Sequence, residues 1–492
     1  PRGLATSTTD SIAGTFRATY DADGSVAAEK LPGGYTLTTT EDTTGSTTDR
    51  TYTRDSDATI VYSDAVTESI HGQVTSHTGW SDQTYRYDAL GRLTTVEDTS
   101  EAVCTRRAYT FDVRANRKSL TTATGTAGGD CPTSGGTATT HTYDSYDRLV
   151  DTGYTYDAFG RTTALPGTTV GFYANDLARQ QTAGGKRQTW QLDAALRFRS
   201  WTVETGSGTT WTQTESKLNH YDGEGDTPRW IVENTATGAL TRNVDSASGD
   251  LAATTSKTGD TVLQLTTVHG DVALQLPLAT GKAPVALDTD EYGNPRAGQT
   301  PARYGWLGAK QRSAETLTGL TLMGVRLYNP ATGRFLSVDP VHGGNLNAYE
   351  YAHADPLNRF DLDGRWSWGK KQWRRVTNKA TRVGRNPNWR SIYWSGKFAI
   401  GTAALVSPFG RAKTVRNAWR AVRSPWKTVR RCGGSASKFV HCAGAGWGAQ
   451  TVVNDFRNWN SNRRFRNDWN DALTHSGRSS VCRKYTGKSS CR

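Results

Sequence analysis

No run of 18 apolar residues occurs in the 492-residue chain, so no ordinary transmembrane helix is expected. The longest apolar-leaning stretch, Phe398 to Val406, is too short to span a bilayer. Hydrophobic residues make up 35% of the chain, below the ~45–50% of ordinary domains, a range that also counts glycine. Met323 is the only methionine, and the chain starts at Pro1 with no basic-then-apolar leader. The expectation is the C-terminal portion of a longer or processed protein, with any export signal upstream. There is no C-x-x-C pair among the six cysteines. Cys104 and Cys131 fall in the first part of the chain, and Cys432, Cys442, Cys482 and Cys491 in the last. Even counts in each part are compatible with disulfides in an exported protein. Zinc competes, but intervening stretches of nine and eight residues argue against a metal. The expected pairs are Cys104–Cys131 and, most simply, Cys432–Cys442 and Cys482–Cys491, with three tail connectivities open.

Acidic residues nearly vanish after Gly364. Residues 366–492 hold 27 Lys and Arg against Asp455, Asp468 and Asp471, a balance of +24. Residues 1–365 hold 32 basic and 43 acidic residues, a balance of −11. Ten of the 16 tryptophans also lie in the basic part. Two objects are joined in one chain.

The 51 glycines and abundant threonines favour turns and strands. Residues 50–300 carry a degenerate repeat, clearest at Tyr85-Arg-Tyr-Asp-Ala-Leu-Gly-Arg-Leu93 and Tyr154-Thr-Tyr-Asp-Ala-Phe-Gly-Arg161. Weaker copies begin at Tyr109, Tyr143, Tyr173, Leu192 and His220. Each reads as strand, turn, strand. Tyr-x-Tyr puts two rings on one face. Asp-x-x-Gly supplies an Asx-type turn and a left-handed position, and Arg-Leu begins the return strand. Evenly spaced short strands predict an all-β array, with an ordinary β-sandwich as the alternative. Residues 1–50 read as more of the same array. Residues 125–137 read as a loop that a Cys104–Cys131 bond would staple.

From residue 301 the repeat gives way to Tyr304-Gly-Trp-Leu-Gly308, then Gly319-Leu-Thr-Leu-Met-Gly-Val-Arg-Leu-Tyr-Asn-Pro-Ala-Thr-Gly-Arg-Phe-Leu-Ser-Val-Asp-Pro340, then Asn345-Leu-Asn-Ala-Tyr-Glu-Tyr351 and Asp355-Pro-Leu-Asn-Arg-Phe-Asp-Leu-Asp-Gly364. With the repeated Y-x-Y-D-x-x-G-R-L, these residues resemble the Rhs/YD-repeat polymorphic toxins, whose eukaryotic relatives are the teneurins. The resemblance covers about residues 50–365. It implies a mainly β protein. An antiparallel YD-repeat sheet, residues 1–300, would spiral into a partial shell. A core plug would follow at 301–365, and then a toxin domain at 366–492, the part that varies within the family and that the resemblance does not cover. A sheet wound on itself pairs its own edges. The resemblance also implies export to the medium or cell surface, a delivery machine or upstream shell segment, and an immunity protein. Charge complementarity would make that protein acidic.

In that family the core can cut the chain between shell and toxin by an aspartyl-protease-like reaction. The matching positions are Asp339, Asp361 and Arg326, with the cut expected at Arg365–Trp366. The chemistry needs two carboxylates in different protonation states, with an Arg to set their charge and orientation. The sequence departs from the usual D-P-x-G-L ending: Leu362 replaces Pro, Arg365 replaces Leu, and Asp363 adds a carboxylate. Otherwise Asp339 and Asp361 would be ordinary turn residues.

The tail reads as mainly α. Ala412, Val415, Trp419 and Val422 share a helical face, and Val452, Phe456 and Trp459 a second. Its charge and its interleaved Trp and Arg suit a polyanion with unpaired bases, so nucleic acid is the expected partner and a nuclease the expected activity. His441 and His475 could act as base and acid on RNA without metal or cofactor; each otherwise reads as a surface or packing residue. The competing readings are a membrane-active tail inserting at anionic surfaces and a non-enzymatic YD-repeat binding or adhesion protein.

Overall fold

The computed structural model describes residues 4–369 apart from 297, 342 and 366. His441, His475, Cys432, Cys442, Cys482, Cys491, Trp366 and the tail helices lie outside the described residues. Almost all the regular structure is antiparallel strand. Twelve strands from Ser7–Asp10 to Thr137–Thr140 form one open meander, and thirteen from Thr155–Tyr156 to Val285–Ala286 form another. In both, each strand pairs with its neighbours in sequence. The two sheets share an apolar core. Phe16, Leu37, Tyr52 and Tyr62 of the first pack with Val244, Leu263, Leu265 and Leu274 of the second. Burying one face of each sheet is the main favourable term here.

The repeat supplies the hairpins. At the first clear copy, strand Asp82–Tyr87 pairs with Leu93–Ser100. Tyr85 and Tyr87 lie on one face and pack with Val74, Leu93 and Val96. Asp88 Oδ1 accepts the amides of Leu90 and Arg92 at 2.9 and 3.0 Å, and Gly91 takes the left-handed position with φ +79°. The weaker copies vary. Tyr143 and Leu149 meet in a single isolated bridge. The copy at His220 closes no tight hairpin, and nine residues separate its strand from Trp230–Asn234.

The turn arginine does more than start a strand. Arg92 Nε donates to Asp88 Oδ2 at 2.7 Å, and its Nη1 reaches the Asp112 carbonyl of the next repeat turn at 3.0 Å. Arg161 repeats this, bonding Asp157 and the Tyr173 carbonyl at 2.6 and 2.9 Å. Arg197 bonds Asp193 at 2.8 Å and the Gly223 carbonyl at 2.6 Å. Each such arginine ties one turn to the next. Cys104, buried in its strand, is disulfide-bonded to Cys131 of the 125–136 loop.

The core segment packs inside this array. A three-stranded sheet of Thr321–Met323, Arg326–Asn329 and Arg334–Phe335 supports a ring cluster of Trp306, Tyr328, Phe335 and Tyr351. Rings of this size bury ~150–250 Å², or about 4–6 kcal/mol each at ~25 cal/mol/Å². Polar anchors fix the segment to the shell. Arg334 donates to Asn116 Oδ1 at 2.7 Å and to the Asp147 carbonyl. Tyr328 donates to the Tyr292 carbonyl at 2.9 Å.

Candidate self-cleavage site

Arg326 opens the middle strand of the small sheet, in which every residue is buried. Its side chain lies against the Phe335 ring, with the guanidinium carbon 3.5 Å from the ring centre. Asp339 follows the third strand. Its amide donates to the Ala348 carbonyl at 2.8 Å, and its Oδ1 accepts the Val341 amide at 2.8 Å, the Asx geometry expected of Asp-Pro. Asp361 follows strand Arg359–Phe360, which pairs with Trp368–Gly369. The residue pairs that flank the expected cut are therefore held on opposite strands of one ladder.

The fold brings the three positions together. Arg326 Nη2 donates to Asp339 Oδ2 at 3.1 Å and to Asp361 Oδ2 at 2.8 Å. The side chains of Arg326, Asp339 and Asp361 are 1%, 5% and 0% exposed. One cation faces two carboxylates with almost no water to screen them. Burial pushes the Asp339 carboxyl above its ordinary range, although Arg326 pulls the other way. The same burial works against the Arg326 charge, opposed by Asp361 and Asp339.

The segment ahead of the cut is strapped down. Arg312 donates to the Leu362 carbonyl at 2.8 Å, and Val325 N–H to the Asp363 carbonyl at 3.1 Å. The Arg365 amide donates to Asp361 Oδ1 at 2.8 Å and Asp363 Oδ1 at 3.1 Å. The unusual third carboxylate thus holds Arg365, the residue before the expected cut. Burial and Asp361 push the Asp363 carboxyl up. The Arg365 carbonyl oxygen rests against Gly344. A β-carbon there would sit 2.6 Å from that oxygen and 3.0 Å from Asp339 Oδ2. A side chain at this position would collide with the carbonyl oxygen and crowd the Asp339 carboxyl. A cavity of about 380 Å³, lined by Trp201, Arg312, Asp226, Asp363 and Arg365 among others, opens beside Arg326.

Sequence reasoning missed two contributors. Asn345 Nδ2 donates to Asp339 Oδ2 at 2.9 Å and Asp361 Oδ2 at 3.0 Å. Glu350, fully enclosed, accepts amides of Ala354 and Leu346, and burial lifts its carboxyl to about 7. Both residues stand in the Asn345–Tyr351 stretch, whose Asn-x-Asn pattern signals only a turn. No group of three or more His, Cys, Asp or Glu suited to a metal ion occurs among the described residues.

No protein-family profile matches the chain. The tRNA nuclease WapA of Bacillus subtilis (strain 168) is 29% identical over 167 residues, 32% of this chain and 7% of that protein. The tRNA3(Ser)-specific nuclease WapA of Bacillus spizizenii is 28% identical over 179 residues, again 32% and 7%. The chain spans 7% of the length of these curated relatives. An alignment of 167 residues is longer than residues 366–492, so it includes part of the acidic region. Among solved structures, the crystal structure of TcdB2-TccC3 without its hypervariable C-terminal region superposes with a TM-score of 0.58 at 17% identity. It covers 71% of this chain and 19% of that one. The Photorhabdus luminescens Tc holotoxin pore with a substituted TccC3 gives a TM-score of 0.54 at 17% identity, over the same shares. The likeness to Rhs-type toxins expected from the motifs therefore holds in sequence and in fold.

Proposed function

We propose that this chain is the C-terminal part of an exported Rhs-type polymorphic toxin. Its core cuts the chain between Arg365 and Trp366, and the cut frees a basic tail that degrades RNA. The observation that carries the cleavage is the convergence of Asp339 and Asp361 on one buried arginine, with the Arg365 carbonyl oxygen and Asp339 Oδ2 both close to Gly344. Two buried carboxylates with one guanidinium leave a single negative charge, so one carboxyl keeps a proton. Asp339 is that acid, and Asp361, closer to Arg326, is the base. Asp361 takes a proton from water as the water oxygen bonds to the Arg365 carbonyl carbon, and Asp339 gives its proton to the carbonyl oxygen. As the tetrahedral species collapses, that oxygen returns the proton to Asp339. The C–N bond breaks, and the proton on Asp361 passes to the leaving nitrogen of Trp366.

The RNase reading rests on the +24 balance of residues 366–492, with its ten tryptophans suited to base stacking. The WapA relatives, named as tRNA nucleases, support it. His441 and His475 are the proposed base and acid, and an acidic immunity protein the proposed inhibitor.

A gel of the freshly expressed chain tests the cut. The expected result is two fragments, the smaller beginning at Trp366 by N-terminal sequencing. A chain that stays whole would defeat the reading. The released fragment is then incubated with purified tRNA and, separately, with dye-loaded anionic vesicles. Loss of intact tRNA without leakage is expected; leakage with intact tRNA would replace the nuclease with a membrane-active tail.

A further inference from the structure

Resting on the self-cleavage reading above, we propose that Asn345 is a positioning residue of that reaction: its side-chain amide clamps the two aspartates into the pair that cuts. The residue is 8% exposed. Nδ2 carries two hydrogens and spends one on each carboxylate, at 2.9 Å to Asp339 Oδ2 and 3.0 Å to Asp361 Oδ2. Arg326 Nη2 donates to the same two oxygens. The remaining oxygens are also held, Asp339 Oδ1 by the Val341 amide and Asp361 Oδ1 by the Arg365 amide. Every carboxylate oxygen of the pair therefore has a donor, and neither carboxylate can turn away.

The two bridging donors differ in kind. Arg326 brings charge, whereas Asn345 brings N–H groups without charge. A second cation at position 345 would neutralise both carboxylates and remove the tendency of one to hold a proton. An apolar residue would leave the two carboxyls joined by a single nitrogen, free to splay apart. A neutral double donor keeps the pair convergent and unequal. Asn345 lies next to Gly344, which receives the Arg365 carbonyl, so one two-residue segment seats the carbonyl and aligns the carboxylates.

The test follows cleavage of the full chain after a short pulse of cell-free synthesis, chased between pH 5 and 9. Folding is verified by the Cys104–Cys131 disulfide and by a protease-resistant body. Asn345→Ala and Asn345→Ser should cut about 10-fold or more slowly at pH 7. Removing a neutral donor that both carboxyls share weakens the ionised form of the pair as a whole, so the acid limb of their rate profile should move to higher pH. The isosteric Asn345→Asp adds a third negative charge; it should stop cleavage at pH 7 and recover part of it toward pH 5. Should Asn345→Ala lose the protected body, Asn345→Asp carries the test alone. Wild-type rates in the folded variants, or slower rates with an unmoved pH profile, would overturn the clamp. Asp339→Asn runs alongside. If it cuts like the wild type, the self-cleavage reading fails; if it is silent while Asn345→Ala cuts normally, only the clamp does.

Discussion

Asp and Arg meet repeatedly in this molecule, in two settings that behave in opposite ways. In a repeat turn such as the first clear copy the pair is one to one and partly open to water: Arg92 and Asp88 are 13% and 24% exposed. Backbone amides and Arg92 together outweigh desolvation, and the Asp88 carboxyl falls below its ordinary range. In the core segment the pair becomes two to one and sealed, and the Asp339 carboxyl rises. The same two residue types form a fastening in one place and, in the function proposed above, a reactive pair in the other. Stoichiometry and burial decide which. A fastening needs its carboxylate charged at all working pH values. A cutting pair needs one member that is not.

The largest effect that would test this contrast is on cleavage. Asp361→Asn and Asp339→Asn should each lower the rate about 1000-fold or more, since each removes a whole role. Asp157→Asn, equally conservative, should leave the rate within about 2-fold. The gel separates the two classes, and cutting that persists in Asp361→Asn would merge them.

Stability gives the next largest difference. Arg326→Gln leaves two buried carboxylates without their cation and should cost about 3–5 kcal/mol in urea unfolding. Arg92→Gln removes a partly exposed pair and an inter-turn bond, and should cost about 1–2 kcal/mol. Equal losses would mean that burial does not distinguish the two sites.

The pH dependence should differ in sign. Turn carboxyls such as Asp157 have folded-state pKa values below the unfolded one. Their contribution is present above about pH 4 and is lost as pH falls through the folded value. Glu350 lies the other way, raised from 4.5 to about 7 by burial. Its contribution is full below pH 4.5 and is lost as pH rises to about 7, an effect on the order of 3 kcal/mol. Glu350→Gln keeps one of the two acceptor oxygens without the titrating group, so it should flatten the stability profile between pH 5 and 7. A profile identical to the wild type would remove Glu350 from this account.

The smallest expected effect lies within the repeats. Gly91 and Gly160 occupy the left-handed turn position, but Leu196 holds φ +62° in its copy. Leu196 is 55% exposed, so its side chain has little packing to lose. Leu196→Gly should therefore stabilise the body by about 1 kcal/mol, read as a higher urea midpoint.

Much of this was legible in the sequence, for physical reasons that differ by element. The hairpins at Tyr85–Leu93 and Tyr154–Arg161 could be read because period-two aromatics and an Asx turn are local signals. Arg326, Asp339 and Asp361 could be named because their surrounding motifs are specific; nothing in their spacing of 13 and 22 residues announces a contact. Asn345 was hidden for the same reason: an asparagine in a polar turn looks alike whether it faces water or two buried carboxylates. Glu350 was hidden because its enclosure depends on packing by distant segments. The reach of each turn arginine to the next turn was hidden too, since its partner is a backbone carbonyl and carries no residue identity.

That last feature bears on how such arrays change over generations. Arg92, Arg161 and Arg197 each grip a main-chain oxygen one turn away, and every amino acid supplies one. A duplicated or deleted hairpin brings its own aspartate and arginine and meets an acceptor of the same kind on either side. Through these carbonyl contacts the repeat number can change without a matching side chain in the neighbouring turn. The core segment has no such freedom, because Arg326, Asp339 and Asp361 recognise one another by side chain.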